Sequence, residues 1–491
     1  MLSAIERNGA SRKLPAVISL LSDAGTPVSV FHKLTQEGQT AFLFESTEGD
    51  GRLARYSFIG VDPVKTISFQ DGMAILSDVG SGSIHRQPID NPLSFLRQLV
   101  EQENYGSLDE LADLPFTGGL VGYLGYAATG YFDAIPQQVR DPFAVPEGLY
   151  GLYDSVIAFD HQYRRIKIIS HRGEDHARHL MGKLTASCDL RALTDLETGL
   201  SNEEAYDGVA GTLTKDRFIS LVEAAKEYIR EGQVFQIVVS HRFSLPASAA
   251  ALDIYRVLQA LNPSPYAYIL QYPGFSYIGS SPETFVKCQN GQVVLRALAG
   301  TRPRGRTQVE DLKLSAELRA DEKELAEHRM LVDLGRNDLG RVCRPGTIAV
   351  GEIATITRYT HVMHLATEIT GALAEGKSCF DVFQSCFPRG TVSGAPKIRA
   401  MQLLAKLEPE RRGIYSGVVG YFDFQGNMDG AIAIRSALIQ KGEAHVNAGA
   451  GIVFDSIPEC EYQETRQKAM SVIKAIKLAG RAVKHADCTH R

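Results

Sequence analysis

An α+β fold is predicted by three features of this 491-residue chain. Short β-rich runs punctuated by Gly, Pro and Asp fill its first third, a clear amphipathic helix enters after about residue 213, and the two kinds of element interleave without regular βαβ spacing. From about Ala16 to Ile169, the segments Ala41–Phe44, Tyr56–Ile59, Thr66–Phe69, Ser155–Phe159 and Arg165–Ile169 read as strands. Residues 172–212 are rich in Ser, Thr, Asp, Glu and Gly, and here a short helix is expected over Arg178–Ala186 and a linker at about 194–212. The next region opens with a helix on which Phe218, Leu221, Val222, Ala225, Tyr228 and Ile229 recur at helical spacing, with Gly232 as its stop. Val234–Phe243 reads as a strand carrying Gln236 on the face of Val234 and Val238. Further helices are expected over about 308–334 and 458–479. The latter opens with capping-box spacing at Ser456-x-x-Glu459, tolerates Pro458 in its first turn and stops at Gly480.

Composition removes several classes. Apolar residues at 44% and charged residues at 22% suit a globular chain with a real core. The 52 Lys and Arg against 57 Asp and Glu leave a net charge of −5, which directs the chain to neither nucleic acid nor an acidic membrane. No apolar run approaches the ~18 residues that span a bilayer, and Met1–Lys13 lacks the apolar stretch of a secretory signal. Seven cysteines without a C-x-x-C pair are expected to be reduced thiols of a cytoplasmic protein.

Four constellations could carry chemistry. Glu324-x-x-Glu327 and Glu461-x-x-Glu464 each place two carboxylates on one helix face, where like charges cost a few tenths of a kcal/mol unless compensated. A hard divalent cation between two helices would compensate, and all-oxygen ligands suit Mg²⁺; from the pattern alone, solvated helix faces remain the commoner explanation. Gly390–Lys397 fails the Walker pattern and Asn447–Ile452 lacks the third glycine of a dinucleotide fingerprint. Such loops either bind an anion through backbone N–H groups or simply turn the chain. Arg296–Arg306 packs four arginines into eleven residues, either a solvated loop or a positive field for a small anion. His361 and His364 lie in a β-compatible segment, Ile353–Leu365, at a spacing unsuited to a metal pair; one of them could be a general acid or base. No G-x-S-x-G or G-x-C-x-G turn is present, so acyl chemistry, glutamine hydrolysis included, has no candidate nucleophile.

The order of these features is more telling than any one. Gly232–Gln236, Ser281-Pro282-Glu283, Ala299–Arg302, Glu324–Asn337, His361–Leu365, Ser393–Lys397, Tyr415–Gly417, Ala433–Ser436, Gly449–Ile452 and Glu461–Lys468 stand in a sequence that resembles the chorismate-binding enzymes over about 213–475. Phe44–Ser46 and Arg55–Gly60 extend the resemblance into the N-terminal part. The resemblance implies a two-layer β-sheet sandwich surrounded by helices, with an N-terminal regulatory, tryptophan-binding region at 1–200 and a chorismate-binding catalytic region at 213–478. It implies formation of anthranilate and pyruvate from chorismate and ammonia, with aminodeoxychorismate synthesis as the alternative.

It further implies Mg²⁺ held by Glu327 and Glu464 directly, with Glu324 and Glu461 acting through water or standing behind the direct ligands. Arg435, Tyr415, Lys468, Gly300, Thr301 and the backbone of Gly449, Ala450 and Gly451 become substrate contacts. Glu283 matches the family's general acid, and His364 the residue needed for pyruvate elimination. Water-using relatives carry Lys where this chain has Gln236, and aminodeoxychorismate synthases often carry Lys at Ala299; both departures favour free ammonia as nucleophile. Ser46, Pro265, Tyr266 and Ala267 match a tryptophan feedback site, although Met is usual at Ala267 and Leu at Phe44. A glutamine amidotransferase subunit is the implied partner.

Overall fold

The computed structural model describes residues 12–36, 38–46, 55–136, 140–188, 190–194, 199–359 and 362–489, with the backbone alone for 484–489. Its layering follows from side-chain alternation along the strands. Leu43 and Ile59 face a core shared with Phe31, Leu180, Leu258, Val472 and Ile476, all on helices. Their neighbours Phe42 and Phe58 face the other way, into an aromatic core with Phe116, Tyr123, Tyr153, Tyr268 and Tyr421. That second core lies between two sheets, because its members come from both. A third core, including Leu96, Leu331 and Phe383 on helices and Ile67, Leu120 and Ile369 on strands, covers the far side. The layers run helix, sheet, sheet, helix, as expected of the α+β sandwich.

Each sheet has twelve described strands, paired antiparallel. The first runs Ala16–Leu21, Arg165–Ser170, Ser155–Asp160, Tyr56–Val61, Ala41–Glu45, Tyr266–Tyr272, Phe275–Ser281, Ser436–Gln440, Glu443–Ile452, Gln236–Pro246 and Ala210–Gly211, with Gly394–Ala395 also on Gln236–Pro246. The second runs Ala349–Val350, Val362–Ala372, Gln292–Pro303, Thr284–Gln289, Met428–Ile432, Val418–Asp423, Gly119–Leu124, Gly148–Tyr153, Lys65–Gln70, Met73–Asp78 and Ile84–Pro88, with Thr355–Arg358 also on Val362–Ala372. Two strand pairings join the halves of the chain: Ala41–Glu45 with Tyr266–Tyr272, and Gly119–Leu124 with Val418–Asp423. The N-terminal part therefore continues the sheets of the C-terminal part.

Several expectations need correction. The segment 308–334 is two helices, Gln308–Ala320 and Glu322–Gly340, because Asp321 leaves helical geometry and accepts the Glu324 N–H as a cap. The last helix runs Pro458–Thr489, through Gly480, and Ser456 Oγ accepts from Val453 N at 3.0 Å instead of closing a capping box with Glu459. The strand expected over 234–243 is Gln236–Pro246, and Ile353–Leu365 is parts of two strands, Thr355–Arg358 and Val362–Ala372, that pair with each other. The expected linker holds a short helix, Asn202–Tyr206, closed by a capping box between Ser201 and Glu204. It is packed down: Ala205 is buried and Tyr206 Oη donates to Arg466 O at 2.6 Å. His361 lies outside the described residues.

Candidate active site

The ladder between Gln292–Pro303 and Val362–Ala372 slips at Gly300, where Ala299 opposes Leu365 and Thr301 opposes His364. Gly300 takes φ +63° at this bulge. A Cβ there would lie 2.9 Å from Leu318 Cδ1 and 3.2 Å from Glu324 Oε2, so the absent side chain lets the helix carboxylate approach the strand. His364 Nδ1 is 2.9 Å from Gly300 O and 3.1 Å from Thr301 Oγ1. A carbonyl only accepts, so Nδ1 carries the proton and Nε2 is left as an acceptor. Burial, and then the charge of Arg435, pushes the His364 pKa down, against the pull of the Gly300 carbonyl, which favours the neutral ring.

Glu324, Glu327, Glu461 and Glu464 are each only partly exposed, and Glu324 is the one that meets the bulge. Burial raises the Glu324 pKa, Glu327 and Asp321 add to it, and Arg302 Nη1 sits 3.5 Å from Glu324 Oε1. Glu327 Oε1 accepts from Gln236 Nε2 at 3.0 Å. Burial likewise raises Glu461, the Ser456 hydroxyl opposes this, and Glu464 adds to it. Lys323, on the first acidic helix, stabilises the charge of Glu461 on the second, so the two helices act on one another. Glu464 Oε1 pairs with Lys468 Nζ at 2.6 Å. No three His, Cys, Asp or Glu among the described residues are gathered closely enough to hold a metal as they stand.

Gly449 to Gly451 are part of the strand Glu443–Ile452 instead of the expected loop. Gly449 lies opposite Ser240 and Gly451 opposite Val238. Their role is close approach: a Cβ on Gly449 would lie 3.0 Å from Tyr415 Oη, and one on Gly451 2.8 Å from Gln236 Nε2. Ala450 alternates to the other face and is buried with Ile237 and Val239, so it can offer the site only its backbone. Lys468 Nζ donates to Gly449 O at 2.9 Å, and Arg435 Nη1 donates to Lys468 O. Gly390–Val392 forms a turn of 3₁₀ helix, and Thr391 Oγ1 donates to Glu283 Oε1 at 2.8 Å. Burial raises the Glu283 pKa, with Arg389, Thr391 and Lys468 pulling it back. In the arginine-rich stretch Arg296 and Arg302 lie on the strand Gln292–Pro303 and Arg304 and Arg306 in the turn after it, and two of the four charges are paired, Arg302 with Asp321 at 2.7 Å and Arg304 with Asp311 at 2.6 Å.

Glu283, Gly300, Thr301, Glu324, Glu327, His364, Tyr415, Arg435, Gly449, Gly451, Glu461, Glu464 and Lys468 are thus linked through shared contacts and fields. Sequence reasoning missed Thr391 as the partner of Glu283 and the bridge from Gln236 to Glu327. A polar residue on an otherwise apolar strand face was the available signal for the latter.

A cavity of ≈ 100 Å³ opens between the sheets where the halves of the chain meet. Phe44, Ser46, Pro265, Tyr266, Ala267 and Asp429 line it, so the four residues matched to an inhibitor site share one pocket. Tyr266 Oη donates to Asp429 Oδ1 at 3.0 Å, and Ser46 Oγ is buried without a hydrogen-bond partner among the described residues. Glu45 accepts from Tyr255 Oη at 2.6 Å and Gln259 Nε2 at 2.8 Å at its edge.

This fold, with acidic helices opposite a glycine-lined strand, is shared with known proteins. The chain belongs to the chorismate binding enzyme family, whose model matches residues 39–474. It is 40% identical to anthranilate synthase component 1 of Acetivibrio thermocellus over 95% of this chain and 96% of that one. Identity is 41% to anthranilate synthase component 1 of Aquifex aeolicus, covering 95% of each. A crystal structure of anthranilate synthase component I from Streptococcus pneumoniae superposes with a TM-score of 0.76 at 33% identity, covering 92% of this chain and 99% of that one.

Proposed function

We propose that the chain is the synthase component that converts chorismate and ammonia to anthranilate, pyruvate and water. The observation that carries this reading is a buried acid, Glu283, and a neutral imidazole, His364, in one site whose Gln236 and Ala299 positions offer no nucleophile for the ring. Gln236 is a neutral amide engaged with Glu327, and Ala299 ends in a methyl group. The nitrogen must then come from outside.

Four carboxylates in two pairs, in which Glu327 raises the proton affinity of Glu324 and Glu464 that of Glu461, are a hard-oxygen donor set that suits Mg²⁺. Glu327 and Glu464 would hold the ion, with Glu324 and Glu461 behind them. When bound, Mg²⁺ supplies fixed positive charge for the ring carboxylate. Arg435, Lys468 and Tyr415 orient the substrate through its anionic groups. Glu283 donates its proton to the departing hydroxyl, which leaves as water while ammonia adds to the ring ortho to the carboxylate. His364 Nε2 then takes the proton from the aminated ring carbon as the enolpyruvyl C–O bond breaks. The ring becomes aromatic and the released enol is protonated to pyruvate.

Ammonia would reach the site from a glutamine amidotransferase subunit. Cys288, Cys343, Cys379 and Cys386 are buried, and burial raises their thiol pKa values, the opposite of an activated nucleophile. Reduced thiols of this kind fit a cytoplasmic enzyme, and no helix among the described residues is long and apolar enough to cross a membrane. The cavity between the sheets is the proposed tryptophan site: its aromatic walls suit an indole, and Ser46 and Glu45 offer polar groups for an amino acid.

Product identification from chorismate, Mg²⁺ and an ammonium salt tests the reading. Fluorescent anthranilate with equimolar pyruvate is expected; aminodeoxychorismate without pyruvate would replace it by the alternative activity. Glu327→Ala and Glu464→Ala should each abolish turnover with excess ammonia while thermal unfolding stays near that of the parent. Parental activity in either variant at ordinary Mg²⁺ concentration would refute the metal assignment.

A further inference from the structure

Behind the substrate-facing wall lies an ion pair that no step of the chemistry uses. Glu408 and Arg412 are 5% and 3% exposed. The Arg412 guanidinium has five N–H groups, and each has an acceptor. Nε donates to Glu408 Oε2 at 2.8 Å and Nη2 to Glu408 Oε1 at 2.6 Å. Nη2 also donates to Val238 O at 2.6 Å, and Nη1 to Val392 O at 2.7 Å and Ser416 Oγ at 3.2 Å. Glu408 Oε1 accepts in addition from Ser240 N at 2.8 Å. The guanidinium lies 4.6 Å from the centroid of the Tyr126 ring, which closes it off from behind.

The bonded groups share a property: each lies next to a site residue. Val238 and Ser240 are the register partners of Gly451 and Gly449. Ser416 follows Tyr415 and holds φ +66°, a left-handed conformation that needs support from its surroundings. Val392 follows Thr391, whose hydroxyl grips Glu283. One planar cation thus ties together the glycine strand's neighbour, the Tyr415 turn and the Glu283 latch, three segments far apart in the sequence.

We infer that Glu408 and Arg412 are positioning residues for this reaction, fixing Tyr415, the Gly449–Gly451 strand and Glu283 relative to one another. Neither side chain hydrogen-bonds Glu283, Tyr415 or the glycines, so both act through the groups they hold and, on Tyr415, through their charges. A buried ion pair adds little net stability over apolar residues of similar volume, which leaves the geometry it imposes as its contribution. Lys cannot substitute, because a point charge lacks the fork that reaches five acceptors in fixed directions. The inference rests on the reading of Tyr415 and Glu283 as site residues, and its test separates the two.

The test compares Arg412→Lys, the double variant Glu408→Gln with Arg412→Met, and Tyr415→Phe, by chorismate KM, kcat with saturating ammonium salt, and thermal unfolding. For Arg412→Lys, assayed well below its unfolding temperature, KM should rise and kcat fall, each about tenfold or more, as expected for misplaced groups. The double variant, which removes the buried charges together, should recover unfolding temperature without recovering KM or kcat. Tyr415→Phe should raise KM alone. Recovery of parental KM and kcat in the double variant, or an Arg412→Lys enzyme with parental constants, would overturn the positioning role. An unchanged KM in Tyr415→Phe would instead overturn the underlying assignment of the site. Should Arg412→Lys fail to fold, the double variant decides by the same constants.

Discussion

Glu283 and His364 show how burial assigns roles to two titratable side chains. Burial raises the pKa of Glu283 and lowers that of His364, so each is held toward its neutral form, the form the proposed acid and the proposed base need. Because Glu283 must carry a proton to act, its contribution is present below its raised pKa and lost as pH rises through it. Measured at constant free ammonia, turnover should therefore decline on the alkaline side, and Glu283→Gln should be inactive throughout. An alkaline limb that persists in a still-active Glu283→Gln enzyme would assign the proton to another group. For His364 the sharper measurement is mass analysis. His364→Met should still aminate chorismate and accumulate a non-aromatic product that retains the enolpyruvyl group; unreacted chorismate alone would move His364 to the first step or to binding.

The bulge in the strand Gln292–Pro303 and the break between the helices Gln308–Ala320 and Glu322–Gly340 work together. Gly300 bends the strand toward the second of these helices, and Asp321 starts that helix where Glu324 meets the bulge. Gly300→Ala places a Cβ against Leu318 and Glu324 at a positive φ, so it should cost about 1 kcal/mol or more of stability and a larger share of activity. Calorimetry and turnover on the same preparation check this; parental activity would show that the bulge does not set the spacing of Glu324 and His364. The Gly335 backbone serves the same helix farther along, since a Cβ there would lie 2.7 Å from Ile369 Cδ1 and hold the helix off the sheet.

At the scale of the molecule, the decisive feature is that both sheets cross from one half of the chain to the other. The cavity lined by Ser46 and Tyr266 opens at such a crossing. Its wall strand Met428–Ile432 continues to Ile432 N, which donates to Glu283 O at 3.1 Å, so this strand touches both the cavity and the site. Ala267→Met, which narrows the cavity, should shift the tryptophan concentration for half-inhibition, while chorismate KM without tryptophan stays parental. An unshifted inhibition curve would place the inhibitor elsewhere. The whole chain should also use ammonium salts but not glutamine when alone, its rate at first rising with pH as free ammonia increases. Turnover of the purified chain with glutamine as sole nitrogen source would overturn the need for a partner.

Much of this was legible in the sequence, because period-2 and helical apolar patterns record which face of each element is buried. The strands from Ala41 to Ile169 and the helix from Phe218 to Ile229 follow from such patterns, and the ordered motifs pointed to the residues of the site. Local pattern could not show that Gly449 to Gly451 form a strand, because the glycines owe their place to Tyr415 and Gln236 pressing against them, contacts between segments remote in sequence. Nor could it show the break at Asp321, where capping of the Glu324 N–H outweighs helix continuity. The meaning of Glu408 and Arg412 was equally hidden, since two charges four residues apart read as a surface pair until folding encloses them. Sequence by itself determined the elements and the chemical groups; only tertiary structure decided which groups meet, because burial and close approach are properties of the assembled sheets.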